Sequence, residues 1–102
     1  MEKINEISPE ELESQLKEGI DIEVVDVRED EEVAQGMIKN AKHIPLQEIP
    51  DAINSLDKSK HHVLVCRSGR RSMRAAEFLS ENGYNVSNMT GGMLEWKGAV
   101  TK

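Results

Sequence analysis

The stretch of sequence that decides the fold is Val63-Leu64-Val65-Cys66-Arg67-Ser68-Gly69-Arg70-Arg71-Ser72. Its apolar first residues predict a buried strand, which ends at the only cysteine of the chain. A polar loop with one glycine follows. The next segment, from Ser72 to Glu81, predicts an amphipathic helix because its apolar residues recur on one helical face. Cys66 therefore lies where a strand is followed, after a short loop, by a helix.

Positive charge is concentrated around this cysteine. Four of the chain's five arginines lie within eight residues of it, namely Arg67, Arg70, Arg71 and Arg74, although the net charge of the chain is −6. An isolated thiol with a pKa near 8.5 is only about 3% ionised at pH 7. Backbone N–H groups at a helix N-terminus and nearby guanidinium groups stabilise the thiolate. We therefore predict that Cys66 is a reactive nucleophile and not an inert core thiol.

Length and composition indicate one domain, residues 1–102, with its core at about residues 4–98. Aromatic residues make up only 3% of the chain and the surface is rich in acid, which argues against nucleic acid as a partner. The first residues lack the apolar region of a signal peptide, and no stretch is long enough to span a membrane. A single cysteine cannot form an internal disulfide, which fits a reducing compartment. We therefore expect a cytoplasmic monomer that binds neither nucleic acid nor a membrane.

Strands and helices alternate through almost the whole chain. Strands are predicted at residues 4–7, 22–27, 41–45, 61–66 and 85–89. Short connections and β-branched strands predict an α/β fold with a mostly parallel five-stranded sheet and helices on both faces. In such sheets the ligand lies beyond the carboxyl ends of the strands, where Cys66 is placed.

Local signals mark the ends of several helices. Ser8 begins the first helix with a capping box, and Gly19 ends it as a left-handed residue. Pro50 divides the helical run between the third and fourth strands into two short pieces or one bent helix. A last short helix is predicted at residues 93–97, and we expect the tail after Gly98 to be frayed.

The loop after Cys66 suits either of two chemistries that hold an anion in a cradle of backbone N–H groups. Phosphate ester hydrolysis through a phosphocysteine usually shows an arginine at the sixth position after the cysteine. That position is Ser72 in this chain, and Arg71 comes one place too early. The loop is therefore one residue short for a phosphoryl group, whereas the smaller terminal sulfur of a sulfur donor fits a tighter loop.

Three motifs follow one another along the chain. The first is Val25-Asp26-Val27-Arg28, continued by Glu32, Gly36, Ile38, Ala41 and Ile44-Pro45. The second is the loop at residues 66–72, and the third is Gly91-Gly92-Met93-Leu94-Glu95-Trp96. With these motifs in this order, the chain resembles the single-domain sulfurtransferases of the rhodanese family over nearly its entire length. Met37 and Asn40 depart from the family's usual Gly-His-Ile-x-Gly-Ala run, so altered turn geometry is expected there without loss of chemistry.

The resemblance implies a parallel five-stranded sheet, a cysteine persulfide held by the loop N–H groups, and neither a metal nor an organic cofactor. Cys66 would be the nucleophile and sulfur carrier. The substrate-binding residues would be those of the loop: Arg67, Ser68, Gly69, Arg70, Arg71 and Ser72. The arginines would bind the anionic end of the donor. Ser72 is expected above all to cap the helix, and also to donate a hydrogen bond to sulfur.

Asp26 and Arg28 fall at the carboxyl end of the second strand, and the resemblance suggests that they shape the site. Their residue types favour a buried structural ion pair, for instance between Arg28 and Glu32. The three histidines show no metal-ligand spacing with Cys66, so no metal site is predicted.

The leading hypothesis is an enzyme that moves sulfane sulfur from a small anionic donor, such as thiosulfate, to a thiophilic acceptor. The acceptor would be cyanide in vitro and a thiol or protein cysteine in the cell. One alternative is a sulfur-relay or binding module that receives a persulfide from a protein partner. Another is a cysteine-dependent phosphatase or arsenate reductase, against which the short loop argues. Saturation kinetics with thiosulfate separate the first two, and Cys66-dependent hydrolysis of an aryl phosphate would support the third.

Overall fold

A five-stranded parallel sheet forms the centre of the protein, whose computed structural model describes residues 4–102. The strands are β1 (Asn5–Ile7), β2 (Ile22–Asp26), β3 (Met37–Ile38), β4 (Lys42–His43), β5 (His61–Val65), β6 (Asn85–Met89) and β7 (Val100–Thr101). The order in the central sheet is β1-β6-β5-β2-β4, with every neighbouring pair parallel. The predicted sheet is confirmed, and β5 is its middle strand.

Helices and short 3₁₀ segments connect these strands. The helices are α1 (Pro9–Lys17), α2 (Asp30–Val33), α3 (Ile49–Ala52) and α4 (Arg70–Glu81), and the 3₁₀ segments are Leu46–Glu48, Ile53–Ser55 and Gly92–Glu95. The capping box of α1 is confirmed, because Ser8 Oγ accepts a hydrogen bond from the Glu11 N–H at 3.1 Å while the Glu11 carboxylate accepts from the Ser8 N–H at 3.3 Å. The short helical pieces around Pro50 are confirmed as well, whereas the last predicted helix is the 3₁₀ segment.

Alternate residues of the central strands build one apolar layer on each face of the sheet. Val25 and Leu64 belong to the layer that contains Leu79 of α4. Val63 belongs to the opposite layer, which contains Leu12 of α1. Helices therefore cover both faces, as predicted, and the central strands are buried on both sides.

The end of the chain differs from the prediction. The frayed tail expected after Gly98 is instead β7, which pairs antiparallel with β3 through Met37↔Thr101 and Ile38↔Val100. The tail also packs on Gly36, where an added Cβ atom would lie 3.2 Å from Val100 Cγ2. Two-residue strands carry no detectable alternation of apolar and polar residues, so nothing local signalled this pairing.

No helix within residues 4–102 has both the length and the apolar character needed to cross a membrane.

Candidate active site

Cys66 directly follows β5, at the carboxyl end of the middle strand. Its side chain is fully buried and belongs to the apolar layer that packs on α4. Because side chains alternate along a strand, Cys66 shares this face of the sheet with Leu64. The sulfur therefore faces the helix that begins just after its own loop.

Two hydrogen bonds are directed at this sulfur. The Gly69 N–H donates to Cys66 Sγ at 3.0 Å, and Ser72 Oγ donates to it at 3.2 Å. Burial raises the pKa of the thiol, but the hydroxyl of Ser72 and the backbone N–H groups of the loop outweigh this effect and hold the pKa of Cys66 below its ordinary value. The loop is thus a cradle of donors that favours the thiolate.

The helix α4 begins at Arg70, two residues before the predicted start at Ser72. Its N-cap is Gly69, whose φ angle of +102° lies in the region that glycine adopts without steric cost. Ser72 therefore lies inside the first turn, and the prediction that it caps the helix is wrong. Its hydroxyl donates to the sulfur, which was the second role expected of it.

The 3₁₀ segment after β6 holds the loop from outside. The Met93 N–H donates to the Cys66 carbonyl oxygen at 2.8 Å, and the Leu94 N–H donates to the Arg67 carbonyl oxygen at 3.1 Å. The approach is so close that a Cβ atom on Gly92 would lie 2.3 Å from the Arg67 carbonyl oxygen. The third motif is therefore a backbone clamp on the cysteine loop and not only a turn.

Asn88 contacts the loop from β6. Its side chain is 2% exposed, and its Nδ2 atom donates to the Gly69 carbonyl oxygen at 3.1 Å. Its Oδ1 atom is buried and has no hydrogen-bond partner within residues 4–102. Sequence reasoning missed this contact, although a polar side chain in a strand that is otherwise buried was a usable signal.

Asp26 and Arg28 form a buried ion pair beside the loop, with side chains that are 1% and 8% exposed. Arg28 Nη2 lies 2.8 Å from Asp26 Oδ2 and also donates to the Gly36 carbonyl oxygen at 2.8 Å. The example of a pair between Arg28 and the Glu32 carboxylate is wrong, since Arg28 reaches only the Glu32 carbonyl oxygen, at 3.4 Å. The Asp26 carboxylate is buried together with the Arg28 guanidinium group and accepts a hydrogen bond from it.

The Glu32 carboxylate pairs with Arg71 instead. Arg71 Nη1 and Nη2 lie 2.7 and 2.8 Å from the two carboxylate oxygens, a bidentate arrangement across 39 residues of sequence. The hydrogen bond from Arg71 is the largest cause that lowers the pKa of Glu32, to about 2, and the carboxylate in turn raises the pKa of Arg71. Arg71, which was predicted to bind the donor, therefore also forms an ion pair with the Glu32 carboxylate.

The remaining arginines of the cluster, Arg67, Arg70 and Arg74, are exposed and form no ion pair within residues 4–102. They lie on two cavities that flank the loop. A cavity of about 450 Å³ is lined by Arg28, Glu32, Gln35, Arg67, Met93 and Leu94. A second cavity, of about 490 Å³, includes Ser68, Gly69, Arg70, Met73, Arg74 and Asn88 in its lining.

The histidines take no part in the cradle. His61 Nε2 lies 2.8 Å from Ser87 Oγ, and His62 Nε2 lies 2.8 Å from the Asp57 carbonyl oxygen. His43 Nε2 lies 2.7 Å from the carbonyl oxygen of Arg28. The described part of the chain contains no group of three or more side chains that could hold a metal ion.

Comparison with known proteins extends over nearly the whole chain. The sequence profile of the rhodanese-like domain family matches residues 8–99. The chain is 45% identical over 96 residues to YtwF of Bacillus subtilis, by name a candidate sulfurtransferase, and the match covers 94% of this chain and 93% of that protein. It is 33% identical over 98 residues to the thiosulfate sulfurtransferase GlpE of Pseudomonas entomophila, covering 95% of this chain and 88% of that protein.

The fold is similar to that of a solved structure, a rhodanese-like domain protein from Staphylococcus aureus. The TM-score is 0.91 at 40% sequence identity, over 96% of this chain and 97% of that one.

Proposed function

This chain belongs to the rhodanese-like domain family, and we propose that it moves a sulfane sulfur atom from thiosulfate to a thiophilic acceptor through a persulfide on Cys66. Sulfurtransferases among its relatives support sulfur transfer as the general chemistry. The observation that carries the proposal is the pair of donors on Cys66 Sγ, the Gly69 N–H at 3.0 Å and Ser72 Oγ at 3.2 Å. These donors stabilise an anionic sulfur, whether it is the thiolate or the persulfide that replaces it.

The first half-reaction is a displacement at sulfur. The Cys66 thiolate attacks the outer sulfur of thiosulfate and forms a new S–S bond. The S–S bond of thiosulfate breaks, and sulfite leaves with its electron pair. The lowered pKa of Cys66 increases the fraction of thiolate available for this attack relative to an ordinary cysteine thiol.

The second half-reaction returns the enzyme to its starting state. The acceptor attacks the outer sulfur of the persulfide, the bond between that sulfur and Cys66 Sγ breaks, and the electron pair remains on Sγ. Cyanide as the acceptor gives thiocyanate, and a thiol gives a new persulfide. Two half-reactions through a covalent intermediate predict ping-pong kinetics.

The exposed guanidinium groups of Arg67 and Arg70 are proposed to bind the sulfonate end of the donor. Both lie at the mouth of the loop without a carboxylate partner in residues 4–102. Arg71 is assigned the role of orienting the start of α4 through its pair with Glu32. Neutralising Arg67 or Arg70 should therefore raise the KM for thiosulfate.

Phosphate ester hydrolysis is the weaker candidate. The Gly69 N–H approaches the sulfur to 3.0 Å, so the loop closes tightly around one atom. Arg71 is paired with Glu32 and thus does not present a free guanidinium to a phosphoryl group. A loop whose N–H group contacts Sγ this closely favours a role in which Cys66 carries one additional sulfur atom.

We propose that the monomer is the active unit, because the Gly69 N–H and the Ser72 hydroxyl already supply two donors to the sulfur from the same loop and helix as Cys66. The free thiol of Cys66 suits a reducing cytoplasm. The acceptor there is proposed to be a thiol or a protein cysteine.

Intact mass after incubation with thiosulfate tests the proposal. We expect a gain of about 32 Da, one sulfur atom, on the wild type and none on Cys66→Ser. Cyanide should remove the added mass and release thiocyanate. Absence of the added mass from the wild type, with folding verified by circular dichroism, would contradict transfer from this donor.

A further inference from the structure

We infer that the surface around Cys66 is a docking surface for an acidic protein segment that carries the acceptor cysteine. This inference rests on the proposed sulfur transfer and names the class of its second substrate. The surface is formed by Arg67, Arg70 and Arg74, here called the basic rim, together with Leu94.

The basic rim is unusual because this chain has carboxylates in excess. It contains 19 acidic residues against 13 lysines and arginines. Arg28 and Arg71 have carboxylate partners, whereas the three arginines of the basic rim form no ion pair within residues 4–102. One carboxylate, that of Glu6, lines the second cavity with Arg70 and Arg74 without forming an ion pair with either. Exposed charges that a protein leaves unpaired beside its reactive group are free to meet a complementary surface.

The basic rim is also wider than a small donor. Arg67 lines the first cavity, while Arg70 and Arg74 line the second, and the two cavities share no lining residue. Arg70 and Arg74 are four residues apart on α4, so their side chains extend along one face of that helix. Arg74 extends the positive charge one turn of α4 beyond Arg70, past the two arginines assigned to the sulfonate, so a protein segment contacts more of the basic rim than thiosulfate does.

An apolar contact accompanies these charges. Leu94 is 65% exposed, the largest exposed fraction among the large apolar side chains of residues 4–102. Its N–H donates to the Arg67 carbonyl oxygen at 3.1 Å, which places it next to the basic rim. Leu94 also lines the first cavity together with Arg67. An exposed apolar side chain beside charged ones is typical of protein interfaces, which have an apolar centre and a polar rim.

The acceptor cysteine completes the second half-reaction in this complex. Its thiolate attacks the outer sulfur of the Cys66 persulfide, and the bond between that sulfur and Sγ breaks. The electron pair returns to Sγ, so the products are the Cys66 thiolate and a persulfide on the acceptor. Nucleic acid fits the surface less well, because aromatic residues on which bases could stack make up only 3% of the chain.

Discharge of the loaded enzyme to model peptides tests this inference. The wild type is first loaded with thiosulfate, and loading is verified by intact mass. It is then mixed with a peptide whose single cysteine is flanked by glutamates, or with the same peptide carrying glutamines. We expect about fivefold faster discharge to the glutamate peptide at low salt, with the difference disappearing at high salt.

Two variants give the control. Arg74→Gln should remove most of the preference for the glutamate peptide and leave turnover of thiosulfate with cyanide unchanged. Lys39→Gln removes the same charge from an exposed residue that lines neither cavity, and it should behave as wild type. Equal discharge to both peptides, or equal effects of the two variants, would overturn the docking surface. Failure of the wild type to load would instead overturn the proposed function.

A separate observation assigns a positioning role to Asn88. Its side chain holds the carbonyl of Gly69, and the N–H of the same glycine donates to Cys66 Sγ. Its own Oδ1 atom is buried and has no hydrogen-bond partner in the described residues. We propose that Asn88 fixes the left-handed conformation of Gly69 and thereby aims the N–H at the sulfur.

The pH dependence of Cys66 alkylation by iodoacetamide tests this role. Asn88→Leu keeps the size of the side chain and removes the donor, so we expect a higher apparent pKa of the thiol and about threefold slower alkylation at pH 7. Ser87→Ala is the control, since it removes another buried polar side chain of β6 that contacts His61 and not the loop. An unchanged pH profile in a folded Asn88→Leu protein would refute the positioning role.

Discussion

Two arginine–carboxylate pairs border the cysteine loop, and they are built in opposite ways. Asp26 and Arg28 are two residues apart, and their side chains are 1% and 8% exposed. Glu32 and Arg71 are 39 residues apart, and their side chains are 28% and 33% exposed. The first pair fixes the backbone just after β2, whereas the second joins α2 to the first turn of α4.

The difference determines what each pair contributes. A buried pair has lost its hydration, so its attraction mostly offsets the desolvation cost, and the pair is strongly destabilising only when one partner is removed. A half-exposed pair keeps part of its hydration, so forming or breaking it changes the free energy of unfolding only a little. Sequence separation matters as well, because only the distant pair holds two otherwise unconnected segments at the mouth of the site.

The largest effect is expected from breaking the buried pair. Asp26→Asn leaves the Arg28 guanidinium buried without a counter-charge, so we expect the free energy of unfolding to fall by about 3–5 kcal/mol. Urea denaturation measures this directly. A loss below about 1 kcal/mol would mean that Arg28 finds water or another carboxylate, and that the pair is not isolated from solvent as described.

Replacing both members of the buried pair should be less harmful than replacing one. In Asp26→Leu combined with Arg28→Met, no buried charge remains, and we expect recovery of about 2 kcal/mol relative to Asp26→Asn. Recovery will be incomplete, since Arg28 also donates to the Gly36 carbonyl oxygen. A double variant as unstable as Asp26→Asn would show that this backbone contact, and not the uncompensated charge, dominates.

The half-exposed pair should give a smaller effect that depends on salt. Glu32→Gln is expected to lower the free energy of unfolding by about 1 kcal/mol at low ionic strength, and by less in 1 M salt because exposed charges are screened. The effect of Asp26→Asn should persist in salt. Denaturation of both variants at the two salt concentrations checks the contrast, and equal salt sensitivity would remove the distinction between the pairs.

The smallest effect is the pH dependence of the half-exposed pair. The hydrogen bond from Arg71 lowers the pKa of Glu32 from 4.5 to about 2 in the folded protein. A depressed carboxylate pKa gives stability that is fully present above pH 4.5 and is lost as the pH falls towards 2. Below pH 4.5, wild type should therefore lose stability more steeply than Glu32→Gln, and identical slopes in acid denaturation would contradict the assigned pairing.

The sheet and the position of the thiol followed from local patterns. The strand at residues 63–65, the loop glycine and the apolar face of the next helix placed Cys66 correctly because each signal spans only a few residues. The capping box at Ser8 was predictable for the same reason. The start of α4 was missed because a glycine N-cap with positive φ leaves no side-chain signature, while Ser72 presents one.

The contacts that could not be predicted from the sequence are mainly those between residues far apart in the chain. Glu32 and Arg71 pair across 39 residues, and spacing within either segment gives no reason to connect them. The pairing of β3 with β7 is equally distant and involves only two residues of each strand. The contact from Asn88 to Gly69 depends on β6 lying beside β5, which only the topology supplies.

The clamp formed by residues 92–94 has a consequence for which substitutions the chain can tolerate. The N–H groups of Met93 and Leu94 hold the carbonyl groups of Cys66 and Arg67 through backbone atoms alone. Different side chains at positions 93 and 94 therefore leave both hydrogen bonds available, whereas any side chain at Gly92 would collide with the Arg67 carbonyl group. Evolution is free to vary the two residues that make the contacts and is constrained at the glycine that makes none.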